Sequence, residues 1–469
     1  MLAKPIVLSA TIFAASMLIG AVVLASPSPR QASPASSASD KPAVEPPGIA
    51  VIYTAARSYE PLAWLHGDER FPAGATLMIH DSGGTHELIR QFAATADANI
   101  SFDGKSVLFS AKQHESDPWQ AWELSLKDNQ LKQLTQGSDD IIRPIYLPAR
   151  RIVYARKTGK HFVLEALSLA DGKVMPLSYA PGNYVPTDVL QDGRVLFESS
   201  YPLGTNGPAE IYTVYSDGTG VESYRCDHGP ARFGGRQISS GDIVFPSGHG
   251  LARFTSPMAH QDSLEAPAGD YAGDVVELPS QDWLLSRRKS TQQPYQIARW
   301  NPASKTLQPF LSEPERNLVE PAIVAPRAVP NRHPSTLRDW TAANLMTLDV
   351  YTSKYTLQPG SVSTVRISTL DASGQRRVLG TAPVEKDGSL YVHVPGDVPL
   401  QFELLNRAGK VLQKESGWMW ARKSEQRICV GCHAGPEHAP ENVVPAVLLH
   451  STTPADMTTA PAAISKGAH

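Results

Sequence analysis

The feature that most constrains this chain is a strand–turn–strand unit that returns every 40–50 residues. Its clearest copy runs from Ile100 to Phe109 (ISFDGKSVLF). Asp103-Gly104 suits a hairpin turn because Gly tolerates positive φ, and Val107, Leu108 and Phe109 then supply a buried strand. Further copies run from Val189 to Phe197 (VLQDGRVLF) and from Ile238 to Phe245 (ISSGDIVF), with degenerate ones from Tyr146 to Tyr154 and from Leu278 to Leu285. The turn positions Asp103, Arg150, Asp192, Gly241 and Gln281 stand 47, 42, 49 and 40 residues apart. An outer strand pair follows the turn, most clearly Ala121–Leu126 with Leu131–Leu134, and again from Ala209 to Tyr215. Four strands per unit at this period mark a β-propeller. The segment from Ala50 to Phe92 offers the later strands of a blade without its opening strand. Pro321 to Ala325 offers an opening strand with no blade behind it. Joined, they complete a sixth blade and remove the exposed sheet edges; seven blades is the alternative count.

Composition agrees with an all-β chain. The 34 Gly and 39 Pro in 469 residues punctuate short strands better than long helices. A net charge of -3 argues against a nucleic-acid partner, which calls for a basic excess. The phrase Phe102-Asp103-Gly104-Lys105 up to Phe109, with the later Gln133-Leu134-Thr135, resembles the TolB-type six-bladed propellers. Arg232, Arg236, His228 and His249 are candidates to line the central channel, with ordinary surface roles as the alternative.

The N-terminus sets the expected compartment. Lys4, an apolar run from Ile6 to Leu24 and the small residues at Ala25 read as a signal peptide over residues 1–25; an uncleaved membrane tether is the alternative. No second run of spanning length follows. Export to the periplasm or beyond is expected. Residues 26–47 are rich in Ser, Pro and Ala and read as a linker, the propeller as residues 48–330, and residues 451–469 as a disordered tail.

From residue 331 to 450 the pattern becomes a small, sandwich-like β domain. Its expected strands are Val350–Leu357, Gly360–Thr369, Arg377–Thr381, Gly388–Val394 and Leu400–Asn406. It leads into Cys429-Val430-Gly431-Cys432-His433, a CxxCH, the attachment signal for one covalent c-type haem. Each thiol adds to one vinyl group, and the adjacent His433 offers a nitrogen to the iron. With three cysteines in the chain, chance gives this spacing before a His roughly 4 times in 10,000. A redox disulfide and half of a zinc site with Cys226, His433 or His438 are the alternatives. Cys226 itself is an odd thiol, expected inside a blade. Arg427 and Arg422 are candidates to pair with haem propionates, and Trp418 or Trp420 to pack on the ring; surface roles and core packing are the respective alternatives. The sixth iron position is not legible. Met419, His393, His450 or a propeller residue are candidates, or the position is open; His438 stands too near His433 in sequence to reach the opposite face readily.

The order of propeller, small β domain and Glu425-Gln426-Arg427-Ile428-Cys429, preceded by Ala382 to Leu390 and Val394-Pro395, is similar to the hydrazine synthase alpha-subunit family. The resemblance implies a secreted protein with haem c on Cys429 and Cys432 and His433 as the motif histidine. That family's alpha subunits carry a second haem motif, which this sequence does not contain, so a relative sharing the architecture is expected. The function expected is electron transfer or small-molecule redox chemistry, with a redox partner protein or a small-molecule substrate. The alternative is a propeller-based protein-binding scaffold with a structural or sensing haem. A hydrolase is disfavoured, since no G-x-S-x-G elbow occurs.

Overall fold

The computed structural model describes residues 48–335, 337–432 and 442–459, which belong to one compact unit. The expected signal peptide, the linker over 26–47, His433, His438 and residues 460–469 lie outside the described residues. Among the described residues no helix is long and apolar enough to cross a membrane.

The repeat resolves into six antiparallel sheets. One blade is built from strands Ala94–Ile100, Ser106–Lys112, Gln120–Ser125 and Leu131–Gln133, paired in that order. The next three follow the same meander from Ile141, Val185 and Arg236. A fifth has its inner strand in two short pieces, Asp270–Tyr271 and Val276–Glu277. The sixth closes the ring as the sequence suggests: Asn317–Ile323 pairs antiparallel with Val51–Ala56, matching Ile323 to Val51 and Asn317 to Ala56. The N-terminal strand thus lies inside a blade begun by the C-terminal end of the propeller, so neither is left as an open edge.

Each of the five turn positions holds a residue in or beside the left-handed region: Gly104, Arg150, Gly193, Gly241 and Gln281 all have positive φ. The second strand of each of these blades is apolar on both faces. Phe109, Phe197, Phe245 and Leu285 are fully buried between neighbouring blades. Two turn glycines have a further use. A Cβ on Gly104 would stand 2.8 Å from the Pro326 nitrogen, and one on Gly193 would stand 2.1 Å from the Asn331 oxygen. The crossing chain between the domains therefore rests on bare glycine backbone, with Asn331 N donating to Gln191 O at 2.9 Å.

The channel holds charges whose role the repeat does not announce. Asp97, Arg143, Asp274 and Glu320 all adopt positive φ in or beside inner strands. Arg70 pairs with Asp97 and Glu320, and Arg143 with Asp274 at 2.7 Å and Glu320 at 3.2 Å. Arg236 joins them through Asp274 at 2.9 Å and Asp188 at 3.8 Å. Of the four residues expected at the channel, Arg236 is there. His249 is exposed and bonded to Asp270, while Arg232 and His228 turn to Glu210.

The second domain is a β-sandwich. One sheet orders Gln426–Cys429, Ala342–Thr347, Leu390–Pro395 and Ala455–Asp456; the other orders Arg376–Pro383, Thr364–Leu370, Val398–Leu405 and Val411–Lys414. Two expectations need correction. Val350–Leu357 is a turn, not a strand: Asp349 accepts from Tyr351 N at 2.7 Å and from the Thr352 hydroxyl at 2.9 Å, which folds the chain back while Val350 fills the core. The start of the expected tail is ordered. Ala455–Asp456 adds to the sheet beside Val392 and His393, and Met457 is buried in the core; burying a methionine against a sheet outweighs the polar composition around it.

Candidate functional site

The cysteine motif sits at the end of an edge strand. Gln426–Cys429 runs parallel to Ala342–Thr347, setting Cys429 beside Thr347. The loop after Thr347 then holds the motif backbone. Leu348 N donates to Cys429 O at 2.9 Å, and Asp349 N to Val430 O at 3.2 Å. Gly431 packs against the same loop so closely that a Cβ would stand 2.0 Å from the Thr352 oxygen. The glycine inside the motif is therefore set by its neighbour, a constraint absent from the spacing alone.

The segment that carries the cysteine motif is docked on the blade built from Val185–Val189 onward, the fourth when the closing blade that holds Val51–Ala56 is numbered first. Trp420 is fully buried and belongs to the propeller core cluster with Tyr184, and its Nε1 donates to Gly218 O at 3.0 Å. Arg422 reaches Asp217 O and Asp397, and lies over the Tyr179 ring at 4.7 Å. Glu425 accepts from Gly220 N at 3.0 Å, and Arg427 Nη2 donates to Val221 O at 2.7 Å. Residues of strand Met419–Ala421, of strand Gln426–Cys429 and of the turn between them thus grip the turn from Asp217 to Val221. Arg422 and Trp420 are clamps between domains, not cavity residues.

Below this clamp is a cavity of about 540 Å³, lined by Cys429, Cys432, Arg427, Trp418 and Met419 of the sandwich and by Tyr201, Cys226 and His228 of the propeller. Its volume falls in the ~300–1,000 Å³ range of cofactor pockets. Phe402, Leu404 and Val365 supply an apolar floor. No two of the three cysteines are joined in a disulfide. Burial pushes the Cys432 thiol up to about 12, with Cys429, Glu415 and Asp349 adding to the shift. It is protonated at neutral pH, unlike a reactive redox thiol. Burial alone weakens the hold of Arg427 on its proton; Cys429 and Glu425 beside it more than offset that. Arg427 Nη1 is buried without a hydrogen-bond partner. A paired-thiol wall, an apolar floor and a cation with a spare donor fit a porphyrin that carries carboxylates.

Cys429, Cys432, Arg427 and Trp418 are therefore brought together. Of the three candidate sixth ligands, Met419 lines the cavity. His393 Nδ1 is taken up by Asn344 at 2.6 Å and His450 Nδ1 by Glu385 at 3.0 Å. Cys226, expected inside a blade, instead faces the same cavity. Tyr201 and His228, stacked with ring centroids 3.5 Å apart, complete the wall, and only the fold brings that pair to the motif. Among the described residues no group of three or more His, Cys, Asp and Glu is arranged to hold a metal ion.

Residues 342–434 match the family model of the hydrazine synthase alpha subunit middle domain. Over that stretch, about a fifth of its length, the chain is similar to the hydrazine synthase alpha-subunit family. The hydrazine synthase subunit alpha of Kuenenia stuttgartiensis is 38% identical over 61 residues, 13% of this chain and 8% of that protein's length. The aligned stretch is thus a small part of the curated relative. The solved Kuenenia stuttgartiensis hydrazine synthase superposes with a TM-score of 0.74 at 17% identity, covering 87% of this chain and 72% of that one. That is a likeness of fold across propeller and sandwich together. TolB from Acinetobacter baumannii is also similar, with a TM-score of 0.46 at 13% identity over 59% of this chain and 67% of that one.

Proposed function

We propose that this chain is an exported protein with one haem c, carrying out redox chemistry on a small molecule in the cavity between the fourth blade and the sandwich. The observation that supports it is that Cys429 and Cys432 line one cavity with the half-used guanidinium of Arg427. Bound there, haem c supplies a redox-active iron. Cys429 and Cys432 offer the two thiols for covalent attachment, and His433 is the motif histidine in sequence. Arg427 Nη1 offers a donor to a propionate carboxylate. Trp418 and Phe402 give apolar surface to the ring. A small-molecule substrate is favoured over bare electron transfer because Tyr201 and His228 bring polar groups to the wall, which electron transfer does not need. The hydrazine synthase relatives support a small nitrogen compound as the substrate class. A redox partner protein supplies or removes the electrons, and the periplasm is the compartment, where c-type haem is attached.

The test is expression with c-type haem maturation, followed by mass spectrometry and absorption spectra with and without carbon monoxide. The expected result is a mass increase of one haem, retained on denaturation, with Cys429→Ser plus Cys432→Ser abolishing it. Wild-type protein in which both cysteines remain thiols or join in a disulfide sinks the reading.

A further inference from the structure

On the propeller side of the cavity stands a group that the haem motif does not explain. His228 is almost fully buried, and its Nδ1 lies 3.1 Å from Glu210 Oε2. Glu210 is itself buried and fully used. Its Oε1 accepts from Ile211 N at 2.9 Å, and its Oε2 also accepts from Arg232 Nη1 at 3.1 Å. Arg232 is held in turn by Asp227 at 3.1 Å and Gln261 at 2.9 Å, with its guanidinium over the Phe254 ring. The carboxylate thus has its counter-charge in Arg232 and binds His228 by a hydrogen bond. The stack on Tyr201, 22° from parallel, fixes the plane of the imidazole. Plane and rotation are both set, and the ring lines the cavity that holds Cys429 and Cys432.

We propose that His228 is the hydrogen-bonding group for a small polar ligand in this cavity, with Glu210 and Arg232 as positioning residues. The proposal rests on the reading of the cavity as the haem site. The Glu210 carboxylate accepts from Arg232 on the same oxygen that faces His228, so the tautomer that fits has His228 donate Nδ1–H to it, and in that tautomer Nε2 is an acceptor. The ligand class that fits is a small molecule bearing an N–H or O–H that Nε2 accepts. The arrangement parallels the way a carboxylate fixes the tautomer of a histidine in other sites. A histidine kept only for packing needs neither the stack nor the buried carboxylate.

The experiment uses the haem-loaded full chain, with carbon monoxide as the probe and the infrared C–O stretch as the readout, since that frequency reports dipoles facing the bound gas. The expected result is a band that moves in His228→Leu and moves or splits in Glu210→Gln, while haem content and the circular dichroism spectrum stay as in wild type. A wild-type iron that takes no carbon monoxide, or an unmoved band in His228→Leu, overturns the proposal. Should the protein carry no covalent haem, the reading of the cavity fails instead. The ¹⁵N resonances of His228 in the haem-free chain then decide: a protonated Nδ1 and bare Nε2, lost in Glu210→Gln, support the proposal, and a protonated Nε2 overturns it.

Discussion

Arg427 joins the two domains at the cysteine motif: its Nη2 donates to the carbonyl of Val221 on the fourth blade at 2.7 Å, while its Nη1 is buried with no hydrogen-bond partner. One side chain thereby locks the strand that ends in Cys429 and presents a cation to the cavity.

Replacing that cation has a direction. Arg427→Gln shortens the side chain but keeps an N–H donor, and it removes the charge that would stabilise the electron-rich, reduced form of the proposed haem. The midpoint potential is expected to fall by about 60 mV, the one-electron equivalent of a tenfold change. Spectroelectrochemistry of the two proteins measures it, and an unchanged potential places the guanidinium away from the haem.

Gly431→Ala tests the seat of the motif. A Cβ 2.0 Å from the Thr352 oxygen forces the loop apart, at a cost of about 1–3 kcal/mol typical of overpacking. The melting temperature falls and the fraction of chains carrying covalent haem drops with it, read as the haem-to-protein ratio. Val430→Ala, one residue away, serves as the control.

Trp420→Ala tests the clamp between domains. The indole is fully buried in the propeller core and bonded to Gly218, so its loss costs about 3–5 kcal/mol. Thermal unfolding is expected to separate into two transitions, because the sandwich loses its anchor on the fourth blade. A single transition at the wild-type temperature contradicts the clamp.

The propeller carries its own pH dependence. Burial pushes the Glu198 carboxyl up to about 7 against the pull of Arg143, and Glu198 accepts from Gly234 N. The folded state therefore binds the proton more tightly than the unfolded chain. The stability from this group is complete below the ordinary carboxylate range and is lost as pH rises toward 7, on the order of 3 kcal/mol in all. Glu198→Gln should flatten denaturant midpoints between pH 5 and 8 relative to wild type, in the direction of greater stability at the upper end.

Much of the fold is legible in local sequence because its causes are local. A hairpin turn needs Gly or a tolerant residue within a few positions of an apolar strand, and those signals recur at Asp103-Gly104 and Asp192-Gly193. The closure of the ring is legible for the same reason, from a blade's missing strand at one end and a spare strand at the other. The strand over Val350–Leu357 misleads because Val350 and Leu357 are apolar for packing under a turn that the Asp349 side chain folds. The order of Ala455–Met457 is hidden because its stability lies in a partner strand more than 60 residues earlier.

The site divides in the same way. Cys429, Cys432 and the adjacent His433 are legible in sequence alone, since the CxxCH spacing is a property of one short segment. Tertiary structure decided what surrounds them. Tyr201, Cys226 and His228 lie some 200 residues before the motif, and apart from the thiol of Cys226 nothing in their own neighbourhoods points to it. They reach the cavity because Trp420, Arg422, Glu425 and Arg427 dock the segment from Met419 to Cys429 on the turn from Asp217 to Val221. A covalent motif is written in adjacent residues, whereas a binding wall is made by packing surfaces that only the closed propeller holds in place.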